Sequence, residues 1–292
     1  MNYRHIFHAG NFADVVKHSV LALILDYLMR KPAPLAILDI HAGIGCYDLE
    51  SEQARRTGEA AGGIGRVIAA SGDDGASVLP AGYLAAIAAL NGGQLAAPLR
   101  RYPGSPRIAR TLLRPGDRLI LTELHPDDAV TLRREFAGDS QVAVHRMDGY
   151  LALKAHLPPL ERRGLVLIDP PYESADETAR VIDGLRLAWR RWSTGVYLIW
   201  YPIKERAAVW RLHEALAATG ITRILTTELT LYPEDDPSRL NGCGLAIVNP
   251  PYELPAALDR LLPRMHHAFG SGAGTTRTEW LVPEATVTRE GS

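Results

Sequence analysis

The chain has little cysteine, no long apolar run and no excess of either charge, and each shortage removes a class of protein. Only two cysteines occur among 292 residues, Cys46 and Cys243, and neither sits in a CxxC or Cys/His cluster. That excludes a disulfide scaffold and a zinc site, and it fits a reducing cytoplasm. No stretch reaches the roughly 18 apolar residues of a membrane span; residues 19–29 are only helix length and run into Arg30-Lys31-Pro32. The first residues lack the basic and apolar regions of a signal peptide, so a cytoplasmic protein without a membrane partner is expected. Lys plus Arg is 32 against 33 for Asp plus Glu. A polyanion therefore has to be met by local patches rather than by a bulk positive field.

What is there is ordinary globular composition, 47% hydrophobic and 22% charged, in a chain long enough for one large α/β domain with a small appendage. Residues 12–30 carry Phe12, Val15, Val16, Val20, Leu23, Ile24 and Tyr27 at helical spacing before Pro32 and Pro34, which predicts one amphipathic helix. Residues 35–40 form a short apolar run that closes on an acid and opens into Gly43-x-Gly45, the pattern of a buried parallel strand entering a loop. Further strands read at 118–123, 141–146, 165–169 and 195–201, with helical spans between several of them. This alternation predicts a doubly wound, mostly parallel sheet. Residues 50–95 turn Ala- and Gly-rich and read as a small helical insertion, and Ser105 or Pro106 is placed to cap a short helix over 107–113. Residues 223–231 and 244–248 read as a terminal antiparallel pair. From Gly270 the chain is polar and Gly-rich apart from residues 279–282, and a partly loose tail is expected.

Four strand ends carry the chemistry: Asp39-Ile40-His41-Ala42-Gly43-Ile44-Gly45, Thr122-Glu123-Leu124-His125-Pro126, Met147-Asp148-Gly149 and Ile168-Asp169-Pro170-Pro171-Tyr172. In doubly wound sheets ligands bind beyond the carboxyl ends of strands, so these loops should converge on one crevice. Gly43 and Gly45 let backbone approach a cofactor, Glu123 suits two ribose hydroxyls, and Asp148 suits a nucleobase amine. Taken alone, a GxG also suits a plain tight turn, and the missing third glycine of GxGxxG counts against a nicotinamide enzyme. At Asp169-Pro170-Pro171-Tyr172 two prolines withhold backbone donors, leaving carbonyls beside a carboxylate and an aromatic face. Asp169 and the Pro170 carbonyl can take both hydrogens of an adenine N6 amine while Tyr172 stacks the base. The plainer alternative is a Pro-Pro that only ends a strand. Asn249-Pro250-Pro251-Tyr252 repeats the motif in the terminal pair, where strands no longer share the parallel carboxyl edge, and it reads as structural.

These loops resemble S-adenosylmethionine-dependent amino methyltransferases in general. More narrowly, Tyr3-Arg4-His5-x-Phe7-His8-Ala9-Gly10-Asn11-x-Ala13-Asp14-Val15-x-Lys17-His18 looks like the RlmJ family, as do Ser51-Glu52-x-Ala54-x-Arg56-Thr57-Gly58-Glu59, Tyr102-Pro103-Gly104-Ser105-Pro106 and Trp200-Tyr201-Pro202. The resemblance spans residues 1–283. It implies a Rossmann-like, seven-stranded α/β methyltransferase domain with the insertion at 50–95 and a flexible tail at 284–292. It further implies transfer of a methyl group from S-adenosylmethionine to N6 of an adenine in 23S ribosomal RNA. His18, His41, Gly43, Ser105, Glu123, Asp148 and Gly149 would bind the cofactor, Asp169, Pro170 and Tyr172 would act at the reacting amine, and Tyr3 and Lys17 would meet the RNA. The expected partner is protein-free or early-precursor ribosomal RNA, with no metal, and the expected state is a monomer. A DNA adenine methyltransferase and a non-catalytic RNA-binding or assembly factor remain the alternatives. Arg100, Arg101, Arg107, Arg110 and Arg114 form the best local basic cluster for an RNA backbone. Trp189, Trp192, Trp200 and Trp210 read as core or boundary packing.

Overall fold

Helix α1 (Phe12–Met29) starts where extended Asn11 accepts the Asp14 N–H at 2.9 Å. Its residues from Ala13 to Ala22 are all buried, so over that stretch the expected amphipathic helix is enclosed on every side, polar Asp14, Lys17, His18 and Ser19 included, and its last turns reach the surface. The structure, a computed structural model, describes residues 4–71, 77–95, 98–234, 236–270 and 273–284. Tyr3, residues 72–76 at the tip of the expected insertion and residues 285–292 of the expected tail lie outside the described residues.

The strands are β1 (Ala36–Asp39), β2 (Cys46–Asp48), β3 (Arg101–Pro103), β4 (Arg118–Glu123), β5 (Val142–Arg146), β6 (Gly164–Ile168), β7 (Val196–Ile203), β8 (Ile224–Thr230), β9 (Gly242–Val248) and β10 (Thr276–Val282). Eight of them form one sheet in the order β10-β8-β9-β7-β6-β1-β4-β5, while β2 and β3 pair as a separate ribbon. The five strands from β5 to β7 are parallel; β9 runs antiparallel to both β7 and β8. This is a Rossmann-like α/β fold with one strand more than the seven expected. The extra strand is β10, antiparallel at the β8 edge, where a loose tail was expected. The Gly-rich residues before it obscure a run, Thr276–Val282, that gains order by pairing with β8.

Alternate side chains of the central strands enter two cores: Ile37, Leu165 and Leu167 on one face, Leu38, Val166 and Ile168 on the other. The first face is covered by α1, by α3 (Arg66–Ala70) and α4 (Ala81–Leu90), and by α5 (Ser105–Leu112) and α6 (Pro126–Glu135), while α2 (Glu52–Thr57) packs against the turn at His5–Phe7. The other is covered by α7 (Gly149–His156), α8 (Glu177–Arg191) and α9 (Arg206–Ala217); α10 (Leu254–Phe269) returns to the first. Gly104, not Ser105 or Pro106, caps α5, because the Ser105 hydroxyl is drawn inward to Asp39. Among the described residues no helix is long and apolar enough to cross a membrane.

Candidate active site

The carboxyl ends of β1, β4, β5, β6 and β7 open into one cavity of about 830 Å³. Every described residue of the expected site lines it: Lys17, His18, His41, Gly43, Ser105, Glu123, Asp148, Gly149, Asp169, Pro170 and Tyr172. Parallel β1, β4 and β6 in register bring Asp39, Glu123 and Asp169 to one edge. The backbone turns where Gly43 takes φ +62°; a Cβ there would meet the Tyr47 hydroxyl at 2.3 Å. Gly149 answers a different demand. A Cβ on it would lie 2.2 Å from the Ile40 carbonyl, so this glycine lets α7 start against the end of β1.

Asp169 is anchored from below by α1. Lys17, 4% exposed, spans the buried carboxylate of Asp14 at 2.9 Å and the Oδ2 atom of Asp169. Burial alone would neutralise the Lys17 ammonium, but Asp14 and Asp169 outweigh it and hold its pKa well above the ordinary lysine value. Burial likewise pushes the Asp14 carboxyl up, and His5 and Lys17 bring it well below the usual range. Asp14 also accepts from His5 Nε2 at 2.9 Å and from the Gly10 N–H at 3.0 Å. Spacing alone could not reveal this clamp, because a lysine on a helix reads as a solvated residue until the helix is known to be enclosed.

Asp39, which sequence reasoning noted only as the acid closing the first strand, holds the other side. It accepts from the Ser105 hydroxyl at 2.7 Å and the His41 N–H at 3.2 Å, and burial pushes its pKa up to about 7. His41 Nδ1 accepts the Asp169 N–H at 3.2 Å, and burial lowers the His41 pKa to about 4, leaving a neutral ring against the Asp169 loop. His18 is also held neutral by burial, with a pKa near 3, and contacts the Tyr102 hydroxyl at 2.8 Å. Glu123 accepts from the Gly43 N–H at 2.9 Å and the His125 N–H at 2.7 Å, one bond to each oxygen, which leaves both oxygens further acceptor capacity. Asp148 caps α7 through one oxygen and bonds Arg180 at 2.7 Å through the other, so a nucleobase amine would share an occupied carboxylate.

Tyr172 adopts φ 51°, a strained value for a large side chain, and its hydroxyl donates to the Trp200 carbonyl at 3.0 Å. The Trp200 ring stands edge-on to it at 5.9 Å, making Trp200 a wall of the cavity as well as a boundary residue; Trp192 is buried, whereas Trp210 is 60% exposed. The second Pro-Pro-Tyr lies at the opposite edge of the sheet, since β9 runs antiparallel and Val248 pairs with Tyr197 near the start of β7. There the Asn249 amide donates to the Ser193 and Gly195 carbonyls at 2.9 and 2.8 Å. The expected arginine cluster is largely consumed by structure. Arg100 pairs with Glu50, Arg107 with Glu135 and Arg110 with Asp139, while Arg114 binds Asp117 and three backbone carbonyls. Among the described residues no group of His, Cys, Asp and Glu is arranged to hold a metal.

The model of the family described as "Ribosomal RNA large subunit methyltransferase D, RlmJ" matches residues 32–282. The Escherichia coli (strain K12) protein "Ribosomal RNA large subunit methyltransferase J" is 45% identical over 97% of this chain and all of its own length. Its namesake from Haemophilus influenzae is 43% identical over the same shares. A crystal structure of a Legionella pneumophila protein superposes with a TM-score of 0.83 at 36% identity, covering 94% of this chain and 98% of that one. With its fold, its cavity and these relatives in agreement, the chain belongs to the RlmJ family of ribosomal RNA large subunit methyltransferases.

Proposed function

We propose that this protein transfers a methyl group from S-adenosylmethionine to N6 of an adenine in 23S ribosomal RNA, in the cytoplasm. The observation that carries the reading is Asp169, fixed by Lys17 through Oδ2, which leaves Oδ1 and the Pro170 carbonyl as acceptors on two residues that both line the cavity. Two acceptors, no backbone donor and an aromatic wall suit an exocyclic amine that has left its stack.

The donor set also fits the cofactor. Glu123 keeps acceptor capacity on both oxygens for a ribose diol, Gly43 brings backbone close, and neutral His18 and His41 with Ser105 supply polar atoms without a competing positive charge. When bound, S-adenosylmethionine supplies an electrophilic methyl group. The protein's part is orientation: Asp169 Oδ1 and the Pro170 carbonyl hold both amine hydrogens, Tyr172 supports the ring, and Asp169 Oδ1 receives the proton shed after transfer.

The test is mapping of N6-methyladenine in ribosomal RNA from cells with and without the gene, beside labelled-methyl transfer by purified protein. Asp169→Ala is expected to lower transfer by at least about 100-fold, the scale of losing an oriented polar contact in a transition state, with cofactor affinity retained. An unchanged ribosomal map with a change in DNA instead would favour a DNA adenine methyltransferase. Absence of any transfer would favour a non-catalytic binding factor.

A further inference from the structure

The cavity presents a charge problem to any nucleic acid. Eight carboxylates line it against four Lys or Arg side chains. Two of those cations are already committed: Lys17 to Asp14 and Asp169, and Arg180 to Asp148 and Glu177. The other two, Lys204 and Arg239, lie together on the wall beyond Trp200. Lys204 makes no ion pair among the described residues, and the Arg239 Nη atoms bond no acceptor there.

Arg239 is held ready. Its guanidinium stacks over the Tyr232 ring at 4.3 Å, and its Nε donates to Asn241 Oδ1 at 2.8 Å. Asp236 approaches Nε at 3.5 Å, which leaves the two-pronged Nη end open. Asn241 is fully buried and donates from its amide nitrogen to the Lys204 and Asp236 carbonyls, both at 2.8 Å, so one side chain ties the Lys204 backbone to the loop that carries Arg239. An arginine fixed by stacking and by Nε loses little freedom when its fork meets a planar or tetrahedral anion.

Position agrees. Ile199 on β7 is in register with Ile168, so Lys204 lies about four residues, or roughly 13 Å, further along the strand direction than Asp169. Side chains that reach several ångströms from each backbone narrow that gap to the span between an adenosine's exocyclic amine and its backbone phosphates, about 10 Å.

We infer that Arg239 and Lys204 form a phosphate clamp that holds the RNA backbone beside the adenosine whose base enters the Asp169 pocket. The inference rests on the RNA-methyltransferase reading and adds the residues that carry backbone recognition. Arg239 takes a phosphate through its Nη fork, and Lys204 adds a point charge to the same or the adjoining phosphate.

The test uses the full-length protein and a short 23S ribosomal RNA fragment that the wild type methylates. Arg239→Gln and Lys204→Gln are each expected to raise KM for RNA about tenfold with kcat within about twofold, and to flatten the dependence of log Kd on log salt by about 0.7. The KM for S-adenosylmethionine should stay at the wild-type value for both, as should the thermal midpoint of Lys204→Gln; Arg239→Gln, which also loses its bond to buried Asn241, should melt a few degrees lower in a single cooperative transition, so both variants fold. Arg239→Lys should restore the salt slope but not the KM, because it returns the charge without the fork. Neutral methylphosphonates flanking the target adenosine should weaken the wild type and leave Arg239→Gln no weaker than before. Failure of the wild type to methylate any RNA would remove the underlying reading. A methylating wild type whose KM and salt slope survive both substitutions would overturn the clamp alone.

Discussion

Asp39 closes β1 on a carboxylate that hardly reaches solvent, and its ionisation is coupled to folding. Its folded pKa, about 7, lies above the ordinary 3.8, so between those values the folded protein binds a proton that the unfolded chain releases. Its contribution to stability is therefore largest below pH 4 and is lost as pH rises through 7. Asp39→Asn keeps one acceptor oxygen for the His41 N–H, turns an amide N–H toward the Ser105 oxygen, and removes this loss. Relative to the wild type, the variant should gain about 2–4 kcal/mol between pH 5 and pH 8 in urea unfolding, and parallel pH profiles would refute the coupling. Lys17 presents the converse case. Lys17→Met leaves Asp14 and Asp169 enclosed without their cation, and a loss of about 3–5 kcal/mol is expected in the same measurement at pH 7. The strand-end residues that meet in the cavity, Glu123, Asp169 and Gly43, were legible from type and order in the chain. The residues that hold them, Asp39 and Lys17, were not, because their importance comes from enclosure by helices distant in sequence.

At the scale of elements, most strands of the sheet were legible because continuous apolar runs bounded by turn residues mark strands buried on both faces. Two readings went astray for the same reason, that local pattern does not report neighbours. Helix α1 has polar residues at positions that a surface helix would expose, yet α4, α5, α10 and the sheet cover its residues 13–22 all round. β10 is rich in Thr, Trp and Val, but it follows a Gly-rich stretch that masks it, and its pairing with β8 gives it order. The twin Pro-Pro-Tyr loops make the contrast testable, since equal motifs follow strands that run in opposite directions. Asn249 takes φ 53° and satisfies two carbonyls with its amide. Asn249→Ala should cost about 2–3 kcal/mol of stability, from two lost hydrogen bonds and a left-handed backbone without asparagine's tolerance for it. Methyl transfer per folded molecule should stay at the wild-type rate. A fall in that rate comparable with the loss expected for Asp169→Ala would mean that the antiparallel edge also takes part in the reaction.

For the molecule as a whole, a net charge of −1 and a carboxylate-rich cavity set how RNA can be held. A basic protein gathers RNA by releasing many counterions, with affinity that collapses as salt rises. Here much of the arginine expected to do this is locked into pairs with Glu50, Glu135, Asp139 and Asp117, so the attraction must come from few cations and from capture of the base itself. Two phosphate contacts at about 0.7 each predict a slope of log affinity against log salt of about −1.4 for single-stranded RNA. Stacking and amine recognition, which salt screens little, should supply the rest, so an abasic target nucleotide should cost more affinity than a rise from 50 to 200 mM salt. Titration of a 23S fragment at several ionic strengths, with and without the target base, decides the matter. A slope steeper than about −4, insensitive to the base, would require a backbone-tracking surface elsewhere on the protein, and the cavity would then be only where the captured strand is modified.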